Sequence, residues 1–262
     1  MQKILGKTIS LHSAIDSERF GIAVGRVQLS SRADLAAAIE DAGAEGLDLL
    51  IARTDANSVG VVQDMEDAGF RMMDSILYFR RPLADPSPHA AEFVRLAHLS
   101  DVDAVAAAAR LAFYDYSNHY KSSPRLPIEL TAEIYPDWAR RSLTDQPKFA
   151  DCVLVAEVDG EIAGFGALKF QGEVVDGTLF GVAPAWRGRG VYRELLLAAL
   201  DAARAKGCRV MEYSTQLTNI PAQRTITRLG FTIDRAVFTF HRWFDKNEIS
   251  SQSSSTTIKQ VK

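Results

Sequence analysis

One stretch limits what this chain can fold into: Asp176 to Gly207, which reads as strand, tight turn and helix. Thr178 to Val182 is a short apolar run of strand character, closed by Pro184. Arg187-Gly188-Arg189-Gly190 follows and opens into Val191 to Lys206, where Val191, Leu195, Ala199 and Ala202 recur at helical spacing. Gly207 stops that helix, and Lys206 complements the negative end of its dipole. A glycine-rich turn running into a helix presents backbone N–H groups at the positive end of the dipole. It is an anion cradle, and two adjacent arginines favour a phosphate or pyrophosphate.

The string Val182-Ala-Pro-Ala-Trp-Arg-Gly-Arg-Gly-Val-Tyr192 resembles the acyl-CoA motif of the GNAT N-acetyltransferases. The family pattern, Gln/Arg-x-x-Gly-x-Gly/Ala, falls here on Arg187, Gly190 and Tyr192, the last in place of the usual small residue. A second match lies downstream in Asn219-x-x-Ala222 followed by Leu229-Gly230-Phe231. The resemblance covers roughly the last two-thirds of the chain, a length suited to one domain. It implies an α/β (α+β) GNAT fold with a mixed, mostly antiparallel central sheet flanked by helices. It also implies acetyl-CoA as co-substrate, held by Val182, Arg187, Gly188, Arg189, Gly190, Val191, Tyr192 and Asn219.

The earlier part of the chain reads as strand Ile22–Leu29, a helix capped by Ser31 through Ala42, strand Leu47–Ala52, helix Val59–Ala68 and strand Met72–Arg80. That order recurs: Gly69-Phe70 and Gly230-Phe231 lie 161 positions apart, as do Thr54 and Thr215, and Arg81 and Arg242. Under this offset Leu47–Leu83 parallels Cys208–Phe244. The expected organisation is a partial GNAT-like module over 1–84, a linker over 85–91, the acetyltransferase domain over 92–245 and a disordered tail over 246–262. The first module has no Arg-Gly-x-Gly turn, so no second coenzyme is expected there; it would pack on the catalytic domain and wall the acceptor site.

Within the second domain the pattern gives a strand at Phe93–Leu96, an alanine-rich helix to Phe113, a helix at Ile128–Leu143, and strands Cys152–Val158 and Ile162–Phe170 around an Asp159-Gly160 turn. The central strand, a strand to Thr215, a helix from Asn219 and a last strand pair through Phe244 complete it. At 262 residues and 47% hydrophobic content there is ample material for buried cores. A net charge of −3 gives no basic field for nucleic acid or an anionic membrane. Cys152 and Cys208 read as reduced thiols, no His/Cys spacing suggests a metal, and neither a signal peptide nor a membrane span is visible. The cytoplasm is the expected compartment; a homodimer is left open.

As the resemblance implies, catalysis is direct attack of an acceptor amine on the acetyl thioester in a ternary complex. The Val182 N–H would meet the thioester carbonyl. Asp176, eleven residues before Arg187, stands where histone-acetylating relatives carry a glutamate base, although Val175-Asp176-Gly177 equally reads as a bend. Seven residues after Asn219, where many members carry a tyrosine that protonates the departing thiolate, this chain has Ile226; Tyr213 and Tyr192 are alternative hydroxyls. The Tyr114–Lys121 connection mixes aromatic faces with hydroxyl, amide and ammonium donors, which suits a sugar or nucleotide. Its Tyr116, His119 and Tyr120, with Tyr135, are the candidate acceptor contacts, against the plainer readings of His119 as a surface residue and of Tyr135 with Trp138 as core. The half-module with Arg19-Phe20-Gly21, the aromatic loop and the second domain together look like the dTDP-fucosamine N-acetyltransferases, which acetylate a nucleotide-linked 4-amino-6-deoxy sugar. The expected activity is therefore N-acetylation of a small-molecule amine, an amino-sugar nucleotide among the candidates. Alternatives are a protein N-acetyltransferase and an acyl-CoA-binding module without turnover.

Overall fold

The computed structural model describes residues 11–84 and 90–244. The tail expected over 246–262, and all but Ala90 and Ala91 of the linker expected over 85–91, lie outside them. The chain forms two compact units, one from residues 11–75, 122–126 and 237–244, the other from 76–121 and 127–236. Among the described residues no helix is long and apolar enough to cross a membrane.

The first unit begins with α1 (Ala14–Phe20), a helix the sequence pattern did not announce, and continues through β1 (Val24–Leu29), α2 (Arg32–Ala44), β2 (Leu49–Asp55), α3 (Val59–Asp67) and the start of β3 (Arg71–Pro82). β1 and β2 are parallel, and β2 pairs antiparallel with the last part of β9 (Thr232–Trp243), Leu49 opposite Trp243. The faces of α2 and α3 close on this sheet through Leu35, Ala38, Met65, Leu50 and Phe240. On β1, Arg26 makes two bonds to the buried carboxylate of Asp16, one of 3.0 Å from Nη2 to Oδ1.

The second unit contains β4 (Val94–Leu96), α4 (Val102–Ala112), α5 (Ile128–Ala132), α6 (Ile134–Thr144), β5 (Cys152–Val158), β6 (Glu161–Gln171), β7 (Val174–Val182), α7 (Val191–Ala205), β8 (Val210–Gln216) and α8 (Ile220–Arg228). β4 to β7 form an antiparallel meander, β7 and β8 are parallel, and β8 pairs antiparallel with the end of β3. The sheet is mixed and mostly antiparallel, with helices on both faces, as the sequence implied. One core lies beneath α7, whose Leu195, Leu196, Leu197 and Leu200 are fully buried. Each contributes about 1.5–3 kcal/mol of apolar burial. The other core packs α4 and α6 through Val105, Ala109 and Ala139 against Val155, Phe165 and Leu179.

Two local readings change. The helix expected over Ile128–Leu143 is broken into α5 and α6, because Pro136 has no N–H to give the Ala132 carbonyl. The last strand pair is one twelve-residue strand, β9, since no glycine or proline interrupts Thr232–Trp243. The recurrence at 161 residues extends to element boundaries. Leu49 to Val210, Val59 to Ile220 and Arg71 to Thr232 are the starts of strand, helix and strand, and Asp55 to Gln216, Asp67 to Arg228 and Pro82 to Trp243 their ends, all at that spacing. The closing strands are exchanged: β3 of the first repeat finishes beside β8, and β9 of the second finishes beside β2.

Candidate active site

The site is built where two strands part. β7 and β8 are paired from Val174–Val210 to Gly177–Tyr213 and no further. β7 continues to Val182, about 17 Å of strand at 3.3 Å per residue, and β8 to Gln216. A Cβ on Gly177 would stand 2.5 Å from the Tyr213 ring, so only glycine lets that ring lie against the strand at the last pair. Ala183 N donates to Ala163 O, and by ladder alternation the Val182 N–H points away from β6, to the side that β8 has left.

At the end of β7 the chain makes a single turn of 3₁₀ helix, Pro184–Trp186, then enters α7 through Gly188 and Gly190, both left-handed at φ +76° and +85°. Gly190 is the N-cap, without a side-chain acceptor, and the first helical bond is Glu194 N to Gly190 O. The N–H groups of Val191, Tyr192 and Arg193 therefore have no acceptor within the helix. A Cβ at Gly188 or Gly190 would meet nothing within 4 Å, so the space before the turn is open.

This turn borders a cavity of about 950 Å³. Its charged lining is Arg81, Arg187, Arg193 and Arg228 against the single carboxylate of Asp115, a set suited to a polyanion. Of the residues expected to hold coenzyme, Val182, Arg187, Gly188, Gly190, Val191, Tyr192 and Asn219 line it, and Arg189 does not. Arg189 instead lies over the Trp186 ring, 5.1 Å from its centroid. The Arg187 guanidinium binds Ala112 O at 2.8 Å and Val182 O at 3.3 Å, tying the C-terminal end of α4 to the end of β7. Asn219 caps α8 through Ala222 N and gives Thr215 Oγ1 a bond of 2.9 Å.

The aromatic loop divides. Tyr116 lines the cavity, its hydroxyl 3.4 Å from Thr215 Oγ1. His119 and Tyr120 are 4% and 6% exposed, with ring centroids 3.8 Å apart, and do not line this cavity. The surface reading of His119 is thus wrong: Asn118 Oδ1 accepts from Tyr120 N and Lys121 N and folds the loop inward. The Lys121 ammonium closes it on the carbonyls of Phe113 and Tyr114, and burial lowers its pKa. Tyr135 stacks on Phe113 at 4.1 Å and meets Tyr116 edge-on, a packing residue behind the cavity wall.

Asp176 is inside β7, opposite Lys169 on one side and Glu212 on the other, so the bend reading fails. Burial first, then the charge of Glu212, raises its pKa to about 6, with Arg235 opposing. It does not line the cavity, and three residues of strand separate it from Phe180, which does. Ile226 is fully buried in the core under α7. Tyr192 and Tyr213, by contrast, are hydrogen-bonded to each other at 2.9 Å. Sequence reasoning missed Arg81, Arg193 and Arg228 as cavity residues, because they arrive from β3, α7 and α8 and share no motif.

Residues 110–231 match the Acetyltransferase (GNAT) family. The chain is 28% identical over 145 residues to the spore coat polysaccharide biosynthesis protein SpsD of Bacillus subtilis, covering 55% of this chain and 48% of that protein. It is 32% identical over 87 residues to the aminoglycoside N(6')-acetyltransferase type 1 of Stenotrophomonas maltophilia, covering 30% and 57%. The matches thus span about half the length of these curated relatives. In fold it is similar to a GCN5-related N-acetyltransferase from Sphaerobacter thermophilus, with a TM-score of 0.55 at 20% identity over 74% of this chain and 59% of that one.

Proposed function

We propose, from the premise that residues 110–231 form an acetyltransferase domain of the GNAT family, that the protein transfers an acetyl group from acetyl-CoA to a primary amine of a small molecule. The observation that carries this is the arginine-lined cavity on the open N-terminus of α7, at the point where β7 and β8 separate. The amides of Val191, Tyr192 and Arg193 bind pyrophosphate, and the surrounding arginines neutralise the remaining phosphate charge. The coenzyme supplies an acetyl group activated as a thioester. The Val182 N–H donates to the carbonyl oxygen as charge develops on it. Asp176 takes the ammonium proton through water, since about 13 Å of strand lies between it and Phe180. A carboxylate at about 6 is largely ionised at neutral pH yet basic enough to accept that proton.

The acceptor is a sugar amine in this reading, an amino-sugar nucleotide its finer form, and the cytoplasm its setting. Two relatives are named for polysaccharide and aminoglycoside chemistry. Tyr116 offers an aromatic face and a hydroxyl at the cavity wall. Thiol release from acetyl-CoA across nucleotide amino sugars, aminoglycosides, polyamines and peptides is the test. Release above background only with sugar amines supports the proposal. A preference for peptides would replace the acceptor, and tight coenzyme binding without release for any amine would leave a binding module. Asp176→Asn should bind acetyl-CoA normally while turnover falls about 10²–10⁴-fold. The deficit should shrink as pH rises, because more amine then arrives neutral; a variant as active as the parent at every pH removes Asp176 from the mechanism.

A further inference from the structure

The gap between β7 and β8 begins at the Gly177–Tyr213 pair, and three aromatic rings close that end of it. The register of β6 against β7 slips by one residue at Thr178, since Leu168 faces Gly177 while Ala167 faces Leu179. The extra residue turns Phe180 and Val182 onto the same face of the sheet as Val175. All three therefore join Tyr213 in the core beneath α7. Two glycines seat the rings. A Cβ on Gly166 would collide with the Phe180 ring, as one on Gly177 would with the ring of Tyr213. Tyr192 completes the set from the first turn of α7, its hydroxyl 2.9 Å from that of Tyr213. Phe180 meets both tyrosine rings edge-on, with centroids 6.5 Å from Tyr192 and 5.3 Å from Tyr213, a favoured aromatic geometry. Phe180 and Tyr192 line the cavity, and Tyr213 supports them from the last β7–β8 pair.

We infer that these rings are the stop that holds the transferred acyl group to the length of acetyl, with Tyr192 setting the limit. The inference rests on the acetyl-transfer reading, in which the Val182 N–H meets the thioester carbonyl. Phe180 is two residues from Val182 on the same face of β7, about 6.6 Å deeper in the gap. Carbon atoms in contact stand about 3.5–4.0 Å apart, so roughly 3 Å remains beyond the carbonyl. A methyl group fits that space and a propyl chain does not. The rings cannot yield to the longer chain. Phe180 lies flat over Gly166 and Tyr213 over Gly177, while the hydroxyl bond ties Tyr192 to Tyr213. Alanine in place of Tyr192 would remove the tethered ring and open the space between Phe180 and Tyr213 to the cavity.

The test is calorimetric binding of coenzyme A and of its acetyl, propionyl and butyryl thioesters, which needs no acceptor, to wild type, Tyr192→Ala and Tyr213→Phe. The readout is the ratio of acetyl-CoA to butyryl-CoA affinity within each protein, so a uniform loss of coenzyme binding cancels. Wild type should bind butyryl-CoA about tenfold or more weakly than acetyl-CoA, the cost of overpacking against fixed rings, with propionyl-CoA between them. In Tyr192→Ala the order should invert, favouring butyryl-CoA by about tenfold for the two methylenes it then buries. Tyr213→Phe keeps every ring and loses only the tether, so its preference for acetyl-CoA should fall to about threefold. That milder variant carries the test if Tyr192→Ala does not fold. Wild type that binds butyryl-CoA as tightly as acetyl-CoA, or undiminished discrimination in a folded variant, overturns the inference and leaves the acetyl-transfer reading intact. Wild type that binds neither coenzyme A nor any of its thioesters overturns that reading, and this inference with it.

Discussion

The two βαβ units that begin at β1 and β7 share a parallel crossover but treat their helix entrances in opposite ways. After β1, Ser31 caps α2 by accepting from Asp34 N, and Asp34 in turn accepts from Ser30 N and Oγ. The positive end of α2 thus carries its own oxygen acceptor and its own carboxylate. After β7, two left-handed glycines leave the first amides of α7 without a side-chain cap. The strands differ likewise. β1 and β2 stay paired from Val24–Leu49 to Leu29–Thr54, whereas β7 and β8 part after four pairs. One architecture is closed by its own side chains and the other is left open for an anion. The turn before α7 is the one to which the proposed coenzyme is assigned, and its uncapped amides set it apart from the entrance to α2.

The severest way to break that contrast is to close the open turn. Gly190→Val places a branched side chain at φ +85° in the space before α7. The left-handed conformation alone costs roughly 1–2 kcal/mol. Acetyl-CoA at about a hundred times its dissociation constant should add about 2.7 kcal/mol to the stability of the parent and nothing to that of the variant. The melting temperature with and without coenzyme measures both. An undiminished shift in Gly190→Val would mean that the anion binds elsewhere.

A second contrast is in titration. His241, on the part of β9 that belongs to the first unit, is held neutral by burial and by Arg26, its pKa lowered to about 4 against the opposing charge of Asp16. Its contribution is complete above pH 6.5 and is lost as pH falls from 6.5 towards 4. Asp176 in the second unit is raised to about 6, so its contribution is complete below about 3.8 and is lost as pH rises through 6. Each amounts to at most about 3.5 kcal/mol at 1.4 kcal/mol per unit, and between pH 4 and 6 they oppose. In denaturant midpoints, Asp176→Asn should make the protein more acid-sensitive across that window. His241→Gln should make stability fall as pH rises through it. Parallel pH curves for parent and variants would refute the pairing of these effects.

What the sequence disclosed follows from range. The β7 strand, the glycine turn, α7 and the Asn219 cap are local, and their residues carry their own instructions. The repeat was legible because glycine and aromatic positions recur in one register. Asp176 was ambiguous because its place in a strand depends on Lys169 and Glu212, partners distant in sequence or reached only through pairing. The burial of His119 depends on Asn118 and Lys121 folding their loop onto the end of α4, and the arginines of the cavity converge from separate elements. Long-range arrangement of this kind leaves no periodicity to read.

The smallest expected effect distinguishes two equivalent positions in the repeat. Ser58 and Asn219, 161 residues apart, are the N-caps of α3 and α8. Ser58 makes no side-chain capping bond, whereas Asn219 accepts from Ala222 N and donates to Thr215 Oγ1, which Tyr116 also approaches. Losing the Asn219 cap in Asn219→Ala should cost about 1 kcal/mol. Ser58→Ala should stay within about 0.5 kcal/mol of the parent. The same Asn219→Ala protein should bind acetyl-CoA several-fold more weakly, because Thr215, which Tyr116 approaches, loses the amide that fixes it in the cavity wall, while Ser58→Ala binds as the parent does. Urea midpoints and coenzyme titration give both numbers for each variant. Equal costs at the two caps would mean that the second repeat has gained nothing from its asparagine beyond what the first has with serine. A stability loss in Asn219→Ala without a change in coenzyme affinity would confine the residue to capping, and would leave the arginines and the α7 amides as the groups that hold the ligand.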